Sequence, residues 1–241
     1  LNCNLDESVH IKKFVDIPVI CAGRMQADTA ARAIADGKID GVGIARQFLA
    51  DPEFLTKIRE DRTEDIRPCI GCYNCLDIMH YTHFFGCDVN PRTGREHRIK
   101  PPQKADVPKK VVIVGGGPAG MQAAITAAQC GHKVVLFEKS NALGGLLKLT
   151  DGDSVKYMLN KFKNYLVTQV GKSGTEVRLN TEATPERVAA EAPDVLMLAS
   201  GAMPIVPPIK GVDGGNVYTC IEAHEPSAKL GDSVVIIGGN M

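Results

Sequence analysis

The sequence has no excess of charge of either sign, no long apolar run and no internal repeat. Its 28 Lys and Arg residues balance 28 Asp and Glu residues, so no net field favours nucleic acid or an anionic membrane as a partner. The longest uncharged stretch, residues 111–132, is broken by three consecutive glycines and a proline after the length of one strand, which argues against a membrane-spanning helix. We therefore expect neither nucleic acid nor a membrane among the partners.

The first residues also lack the basic and apolar regions of a signal peptide. A chain with eight cysteines and no export signal points to a reducing, cytoplasmic compartment, where clustered thiols are more often metal ligands than disulfides. The 44% hydrophobic content is enough for a buried core. Four scattered cysteines are interpreted as small buried hydrophobes: Cys3, Cys21, Cys130 and Cys220.

The first part of the chain alternates short apolar strands with helices. Residues 17–22 and 41–45 predict two buried strands of a parallel sheet, separated by an alanine-rich helix over residues 29–36. Asp51 as N-cap and Pro52 at the first helical position predict a second helix. Two strands cannot close a barrel, which needs about eight, and we therefore expect the chain to be part of a longer protein.

A segment without helical or strand periodicity, residues 68–108, contains four clustered cysteines. They are Cys69, Cys72, Cys75 and Cys87, in a C-x2-C-x2-C-x11-C arrangement. Three closely spaced thiolates can bind one part of an iron–sulfur cube while a fourth, from a loop, completes the ligand set. Structural zinc is the alternative, although zinc sites more often use two separated C-x2-C pairs. The spacing favours a [4Fe-4S] cluster over zinc.

A dinucleotide-binding motif opens the second half of the chain. A predicted strand over residues 110–114 is followed by Gly115, Gly117 and Gly120 of a G-x-G-x-x-G motif. Gly115 permits the tight turn, Gly117 allows a pyrophosphate to approach the backbone, and Gly120 allows close packing of the following helix. Glu138, at the end of the next predicted strand, is placed to accept a hydrogen bond from a ribose hydroxyl. This order of elements predicts dinucleotide binding.

The rest of the chain continues the alternation of strands and helices. Further strands are predicted over residues 133–137, near Val177 and over 195–198, and helices over 119–130 and 154–170. Gly145 and Gly201 lie in loops that either approach a ligand or form plain turns. A last strand, residues 233–237, runs into Gly238-Gly239, which predicts the start of a second nucleotide-binding domain.

In this order the motifs resemble those of the NADH:flavin oxidoreductases that join an old-yellow-enzyme-type barrel to a disulfide-reductase-like module. The resemblance rests on residues 22–24, 43–52, 67–72, 87–91 and the glycine motif. Members of this family include 2,4-dienoyl-CoA reductase, enoate reductases and trimethylamine dehydrogenase. The resemblance implies an α/β fold with four parts: the last βα units of a flavin-binding TIM barrel (1–62), a [4Fe-4S] segment and linker (63–108), a Rossmann-like FAD or ADP domain (109–231) and the start of an NAD(P)H-binding domain (232–241).

The resemblance also implies cofactor sites. The FMN phosphate would lie between Gly23 and Arg24 on one side and Ala45 and Arg46 on the other, where backbone amides and guanidinium groups suit a dianion. The four clustered cysteines match the ligands of the family's cluster. The FAD or ADP site matches at Gly115, Gly117, Ala119, Gly120, Glu138, Lys139, Gly145 and Gly201.

The activity implied is the transfer of electrons from NAD(P)H through FAD and the cluster to FMN, which reduces an activated C=C bond. The partners would be a pyridine nucleotide and an unsaturated acid or acyl-CoA, and a homo-oligomer is compatible with the resemblance. No catalytic residue is assigned, because the family's proton donor belongs to earlier barrel strands. Three alternatives stay open: an amine-dehydrogenase-like protein with ADP in place of FAD and a partner flavoprotein, a module like the small subunit of glutamate synthase, and a non-enzymatic zinc and nucleotide module. The loops at Gly23-Arg24 and Ala45-Arg46 argue against the second.

Overall fold

A computed structural model describes residues 1–225 and 227–238 of the chain. It divides the chain into two units, Leu1–Lys100 and Pro101–Met241, so the cysteine segment belongs to the first unit. None of the helices in the described ranges is both long enough and apolar enough to cross a membrane.

The first unit contains a two-stranded parallel sheet, on which its first two helices pack. In chain order its elements are α1 (Leu5–Lys12), β1 (Ile20–Ala22), α2 (Ala27–Ala35), β2 (Gly41–Gly43), α3 (Arg46–Ala50), α4 (Phe54–Arg59) and α5 (Asn74–Thr82), with a 3-10 turn at Thr63–Asp65. β1 and β2 pair with Cys21 opposite Val42. The buried face of α2 consists of Ala30 and Ala33, one helical turn apart, and these small side chains let the helix pack closely on Cys21 and Ile39.

Both strands of this sheet are shorter than the sequence predicts. The backbone N–H of Val19 donates to the Asp40 carboxylate at 2.6 Å, and the Val19 carbonyl accepts from Asp40 N–H at 3.0 Å, so the chain before β1 is bonded to a turn instead of a strand. Ala45 has φ −116° and ψ −71° and precedes α3. The parallel pairing of the two strands is as predicted.

The helix predicted from Asp51 begins three residues later, at Phe54. Asp51 itself is extended and ends α3, a helix that the sequence did not predict. Its side chain still accepts from the backbone N–H of Glu53 at 3.1 Å, as a capping residue would, but Pro52 and Glu53 form a turn. Asp51 therefore caps the turn before α4, as its residue type predicts, and it also ends α3.

The second unit is a four-stranded parallel sheet with helices on both faces. Its elements are β3 (Lys110–Val114), α6 (Pro118–Gln129), β4 (Lys133–Phe137), α7 (Tyr157–Lys172), β5 (Glu176–Arg178), α8 (Pro185–Ala190) and β6 (Val195–Leu198), with 3-10 turns at Gly145–Thr150 and Glu222–His224. The strand order is β5-β4-β3-β6. The chain therefore reverses its direction of winding between β3 and β6, and such a switch point opens a crevice at the carboxyl ends of the strands.

The core of the second unit has two layers because alternate residues of a strand point to opposite faces. On one face Val111, Ile113, Val134 and Leu136 pack on Ala124 of α6, and α6 in turn packs on Leu166 and Val170 of α7 through Met121 and Ile125. On the other face Val112, Val135 and Phe137 contact Ala183 and Val188. This packing holds β3 and β4 rigidly beneath the glycine motif.

The strand predicted over residues 233–237 is absent from the described part of the chain. Val235 and Ile236 are 86% and 83% exposed, and the segment has no strand assignment. An extended segment becomes a strand only through hydrogen bonds to a neighbour, and no described strand pairs with this one. Gly239, which belongs to the second predicted glycine motif, lies outside the described residues.

Candidate functional site

The glycine motif joins β3 to α6 in a turn that leaves no room for a Cβ at Gly115 or Gly120. Gly115 has φ +106°, and a Cβ added there would overlap the carbonyl oxygen of Ala199 after β6. A Cβ added at Gly120 would overlap the carbonyl oxygen of Gly115 itself. The backbone of Gly115 is fixed by its N–H, which donates to the Phe137 carbonyl at 2.8 Å. The motif thus lies at the switch point between β3 and β6, with the amino end of α6 facing the crevice.

A second glycine loop packs directly on the motif. The N–H of Gly144 donates to the carbonyl of Gly116 at 2.8 Å, and a Cβ at Gly145 would lie 2.9 Å from the Cα of Gly117. Gly144 and Gly145 have φ +126° and +52°, in the region that favours glycine. This loop therefore packs on the motif through the backbone of Gly144 and Gly145.

Glu138 is buried behind the motif and is bonded to it. Its Oε2 accepts from the N–H of Gly116 at 2.7 Å, and its Oε1 accepts from the N–H and hydroxyl of Ser140 at 2.8 and 2.7 Å. Lys148 Nζ donates to the same Ser140 hydroxyl at 2.9 Å. The carboxylate predicted to face a ribose therefore also positions the glycine motif, and Ser140 and Lys148, which the sequence did not single out, hold it in place.

These contacts shift the ionisation of Glu138. Burial raises the pKa of this carboxyl, but the hydrogen bonds from Ser140 and Gly116 and the positive charge of Lys148 lower it more, so the pKa lies below its ordinary value. The side chain is an anion at neutral pH, the form that accepts hydrogen bonds from the motif and from a sugar hydroxyl.

We expect Glu138→Gln to destabilise the complete protein by about 1–3 kcal/mol at neutral pH, because charge-assisted hydrogen bonds to Gly116 and Ser140 are lost. Since the folded-state pKa is lowered, the carboxylate stabilises the fold above the unfolded pKa, and this contribution disappears as the pH falls through the folded pKa. Thermal unfolding measured between pH 7 and pH 3 should therefore show the two proteins converging. A difference independent of pH would contradict this role.

Three predicted nucleotide-site residues make few contacts in the structure. Ala119 and Lys139 are exposed, and Gly201 has φ +75° with open space where a Cβ would be. Ala119 lies in the first turn of α6 and Lys139 follows Glu138, so both flank the crevice.

In the first unit, two loops follow the neighbouring parallel strands β1 and β2. Gly23 and Arg24 follow β1 with φ +142° and +52°, and the Gly23 carbonyl accepts from Cys3 N–H at 2.9 Å. Ala45 and Arg46 follow β2, and Arg46 begins α3. Because carboxyl ends of parallel strands meet at one edge, the structure brings these four residues to the same edge of the sheet.

One arginine at this edge is incompletely bonded. Nη1 of Arg46 is buried and has no hydrogen-bond partner among the described residues. A buried polar donor of this kind needs an acceptor, and a guanidinium group is matched in charge and geometry by a phosphate. The loops that follow β1 and β2 therefore fit the phosphate group predicted for them.

The four clustered cysteines lie before, within and after α5. Cys75 is in the first turn of α5 and is buried, and Cys87 is half-buried. Burial raises the pKa of the Cys87 thiol, and the charges of Cys69 and Cys75 raise it further, against backbone hydrogen bonds that lower it. Burial likewise raises the pKa of Cys72, with Asp88 and Cys87 adding to the effect.

Four thiols in one segment supply the donor set of an iron–sulfur cluster. Among the described side chains, no group of three or more His, Cys, Asp and Glu residues is arranged to hold a metal ion.

Helix α3 and the residue that follows it anchor both ends of the cysteine segment. Before Cys69, the Gln47 amide donates to the Arg67 carbonyl at 2.8 Å and accepts from Cys69 N–H at 3.0 Å, while Asp51 accepts from Arg67 N–H at 2.9 Å. After Cys87, the Leu49 carbonyl accepts from Asn90 Nδ2 at 2.9 Å and Thr93 Oγ1 at 2.6 Å.

The bonds that these anchors make could not be predicted from the sequence. Gln47 is only a neighbour of the predicted Arg46, and the bonds from Asn90 and Thr93 join residues more than 40 positions apart. Only the tertiary structure could identify them.

Two family models match the chain. Residues 109–241 match the family model for pyridine nucleotide-disulphide oxidoreductases, and residues 4–65 match that of the NADH:flavin oxidoreductase / NADH oxidase family. An NADH oxidase from Thermoanaerobacter brockii is 40% identical over 238 residues, and a cinnamate reductase from Clostridium sporogenes is 37% identical over 241 residues; each alignment covers 96% of this chain.

The solved structure of 2-naphthoyl-CoA reductase with 2-naphthoyl-CoA superposes on 95% of this chain with a TM-score of 0.89 and 38% identity. The chain spans 37% and 35% of the lengths of the two curated relatives and 35% of that structure. By both family models and by this likeness, the chain belongs to the NADH:flavin oxidoreductases of the 2,4-dienoyl-CoA reductase type, in which a segment of a flavin barrel is joined to a pyridine nucleotide-disulphide oxidoreductase domain.

Proposed function

We propose that the complete protein is an NAD(P)H-dependent iron–sulfur flavoenzyme that reduces an activated C=C bond of an enoate or of an enoyl- or dienoyl-CoA. The observation that carries this proposal is Nη1 of Arg46, which is buried and has no hydrogen-bond partner in the described part of the chain. Arg46 begins helix α3, which also anchors the cysteine segment. The names of the relatives, a cinnamate reductase and a 2-naphthoyl-CoA reductase, support the class of substrate.

Each cofactor would be held by residues already described. Arg24 and Arg46 would bind the FMN phosphate, and the amino end of α6, with Gly115 and Gly117, would bind the pyrophosphate of FAD. The cluster ligands would be Cys69, Cys72, Cys75 and Cys87. When bound, flavins accept a hydride and release electrons singly, and an iron–sulfur cluster carries one electron at a time.

The domain limits remain part of the proposal. We propose that the flavin barrel ends near residue 62, the cluster segment near 108 and the FAD domain near 231.

The first test is a cofactor inventory of the complete protein purified without oxygen. Acid-released nucleotides separated by chromatography should comprise FMN and FAD, and iron and sulfide assays should give about four of each per chain. FMN with ADP would instead support the amine-dehydrogenase-like alternative. FAD without FMN, or zinc in place of iron, would contradict the proposal.

The second test is turnover. The reduced pyridine nucleotides, NADH and NADPH, should each be assayed anaerobically with cinnamate and with a short 2-enoyl-CoA, and the saturated product identified by mass. Oxidation of the nucleotide without a saturated product would contradict the proposed substrate class.

A further inference from the structure

Both arginines of the phosphate loops pack against the loop that carries the first three cysteines. The Cζ atom of Arg46 lies 4.3 Å from the ring centroid of Tyr73, which follows Cys72. Nη2 of Arg24 lies 2.9 Å from the position of a Cβ at Gly71, which precedes Cys72. The cysteine loop thus forms the surface on which both guanidinium groups rest.

The register between this loop and Arg46 is set by protein contacts alone. Gln47, the neighbour of Arg46, bonds through both atoms of its amide to the backbone at Arg67 and Cys69. These two bonds prevent the cysteine loop from sliding relative to the start of α3. These bonds therefore fix the position of the Tyr73 ring beside the Arg46 guanidinium.

The backbone of Tyr73 is in an unfavourable conformation. It has φ +62°, which costs energy for a non-glycine residue and persists only where the surroundings impose it. The side chain nevertheless remains 52% exposed, so burial of the ring does not account for an aromatic residue here. Its cation–π contact with Arg46 does, because Arg46 forms no ion pair with the described residues and a stacked aromatic ring can fix the orientation of its guanidinium group.

We propose that Tyr73 is a positioning residue for FMN: its ring holds the Arg46 guanidinium where Nη1 can donate to the phosphate of FMN. A residue of the cluster loop therefore sets the affinity of the barrel for its flavin. This inference rests on the proposed function, because it needs FMN to be the ligand at the edge formed after β1 and β2.

The test compares FMN with riboflavin, which lacks the phosphate. In the complete protein, depleted of flavin, Tyr73→Leu should raise the dissociation constant of FMN about threefold to tenfold and leave that of riboflavin unchanged, as measured by quenching of flavin fluorescence. Tyr73→Phe keeps the ring and should restore wild-type binding of FMN. Tyr81→Leu is the matched control, since Tyr81 is 75% exposed on the same segment and should have no effect.

Arg46→Met supplies the second arm of the test. In that background Tyr73→Leu should have no further effect on FMN, because the ring acts only through the guanidinium. Equal weakening of FMN and riboflavin, an unchanged FMN affinity in Tyr73→Leu, or an effect that persists in Arg46→Met would each overturn the inference while leaving the proposed function intact. A wild-type protein that binds no FMN would overturn both.

Discussion

Cys72→Ser in the complete protein is expected to abolish NAD(P)H-driven reduction of the substrate while FMN remains bound. Cys72 is one of four thiols that would ligate the cluster, and a serine hydroxyl does not replace a thiolate as a ligand of iron. Removing a group that only hydrogen-bonds to a metal ligand lowers metal affinity or activity by about 10- to 100-fold. Removing a ligand itself should therefore lower turnover by at least about 100-fold. FMN should remain bound, since the loop at Gly23 is held by bonds from residues near the amino end of α1, and loss of the Tyr73 contact alone would weaken FMN binding only about threefold to tenfold.

The measurement combines anaerobic steady-state turnover with iron and FMN contents. Protein reduced chemically, without NAD(P)H, should still convert substrate once, because the barrel and its flavin are intact. Cys220→Ser is the matched control: Cys220 is exposed and belongs to the second unit, and its loss should change neither iron content nor turnover. Full turnover in a Cys72→Ser protein that lacks iron would show that electrons reach FMN by another route.

Gly120→Ala is expected to destabilise the protein by at least about 3 kcal/mol and to remove the adenine nucleotide. The added methyl group would overlap the carbonyl oxygen of Gly115. That atom is backbone, and it cannot rotate aside as a side chain could. Relief requires α6 to move away from β3, and this movement opens the turn that would bind the pyrophosphate.

Gly171→Ala is the matched control, because Gly171 lies in α7 with nothing within 4 Å of the added atom. Alanine is favoured over glycine in a helix by about 1 kcal/mol, so this variant should raise the melting temperature, whereas Gly120→Ala lowers it. Thermal unfolding of the two variants, measured side by side, tests whether their melting temperatures shift in opposite directions. Their nucleotide contents are measured on the same preparations. If both variants were stabilised and kept the nucleotide, the close packing of α6 on β3 would be wrong.

Strands of the second unit could be predicted from sequence to the residue. β3, β4 and β6 have the bounds that their apolar runs indicate. For β3 and β4 the reason is burial, because a strand buried on both faces is largely apolar, whereas β6 is equally apolar but exposed. Residues 233–237 are as apolar, yet the described structure leaves them unpaired. An apolar run indicates that a segment gains stability when it is buried. Whether it forms a strand depends on hydrogen bonds to a neighbouring strand, and the local sequence does not specify that neighbour.

Helix α5 could not be predicted for a different reason. It begins and ends at left-handed residues, Tyr73 with φ 62° and His83 with φ 58°, and it has no side-chain N-cap. The usual start and stop signals of a helix are therefore missing. What places this helix is the set of bonds from α3 and Asp51 to the flanking segments.

The sequence by itself determined the residue types and spacing of the site: three glycines of a G-x-G-x-x-G motif after a strand, an acid after the next strand, and four thiols in one segment. These requirements are local, because each concerns residues within one short segment of the chain. Only the tertiary structure decided which groups these residues meet: Glu138 bonds to Gly116, and the ring of Tyr73 contacts the guanidinium of Arg46. Such contacts join residues distant in the chain, and they depend on packing that no local pattern encodes.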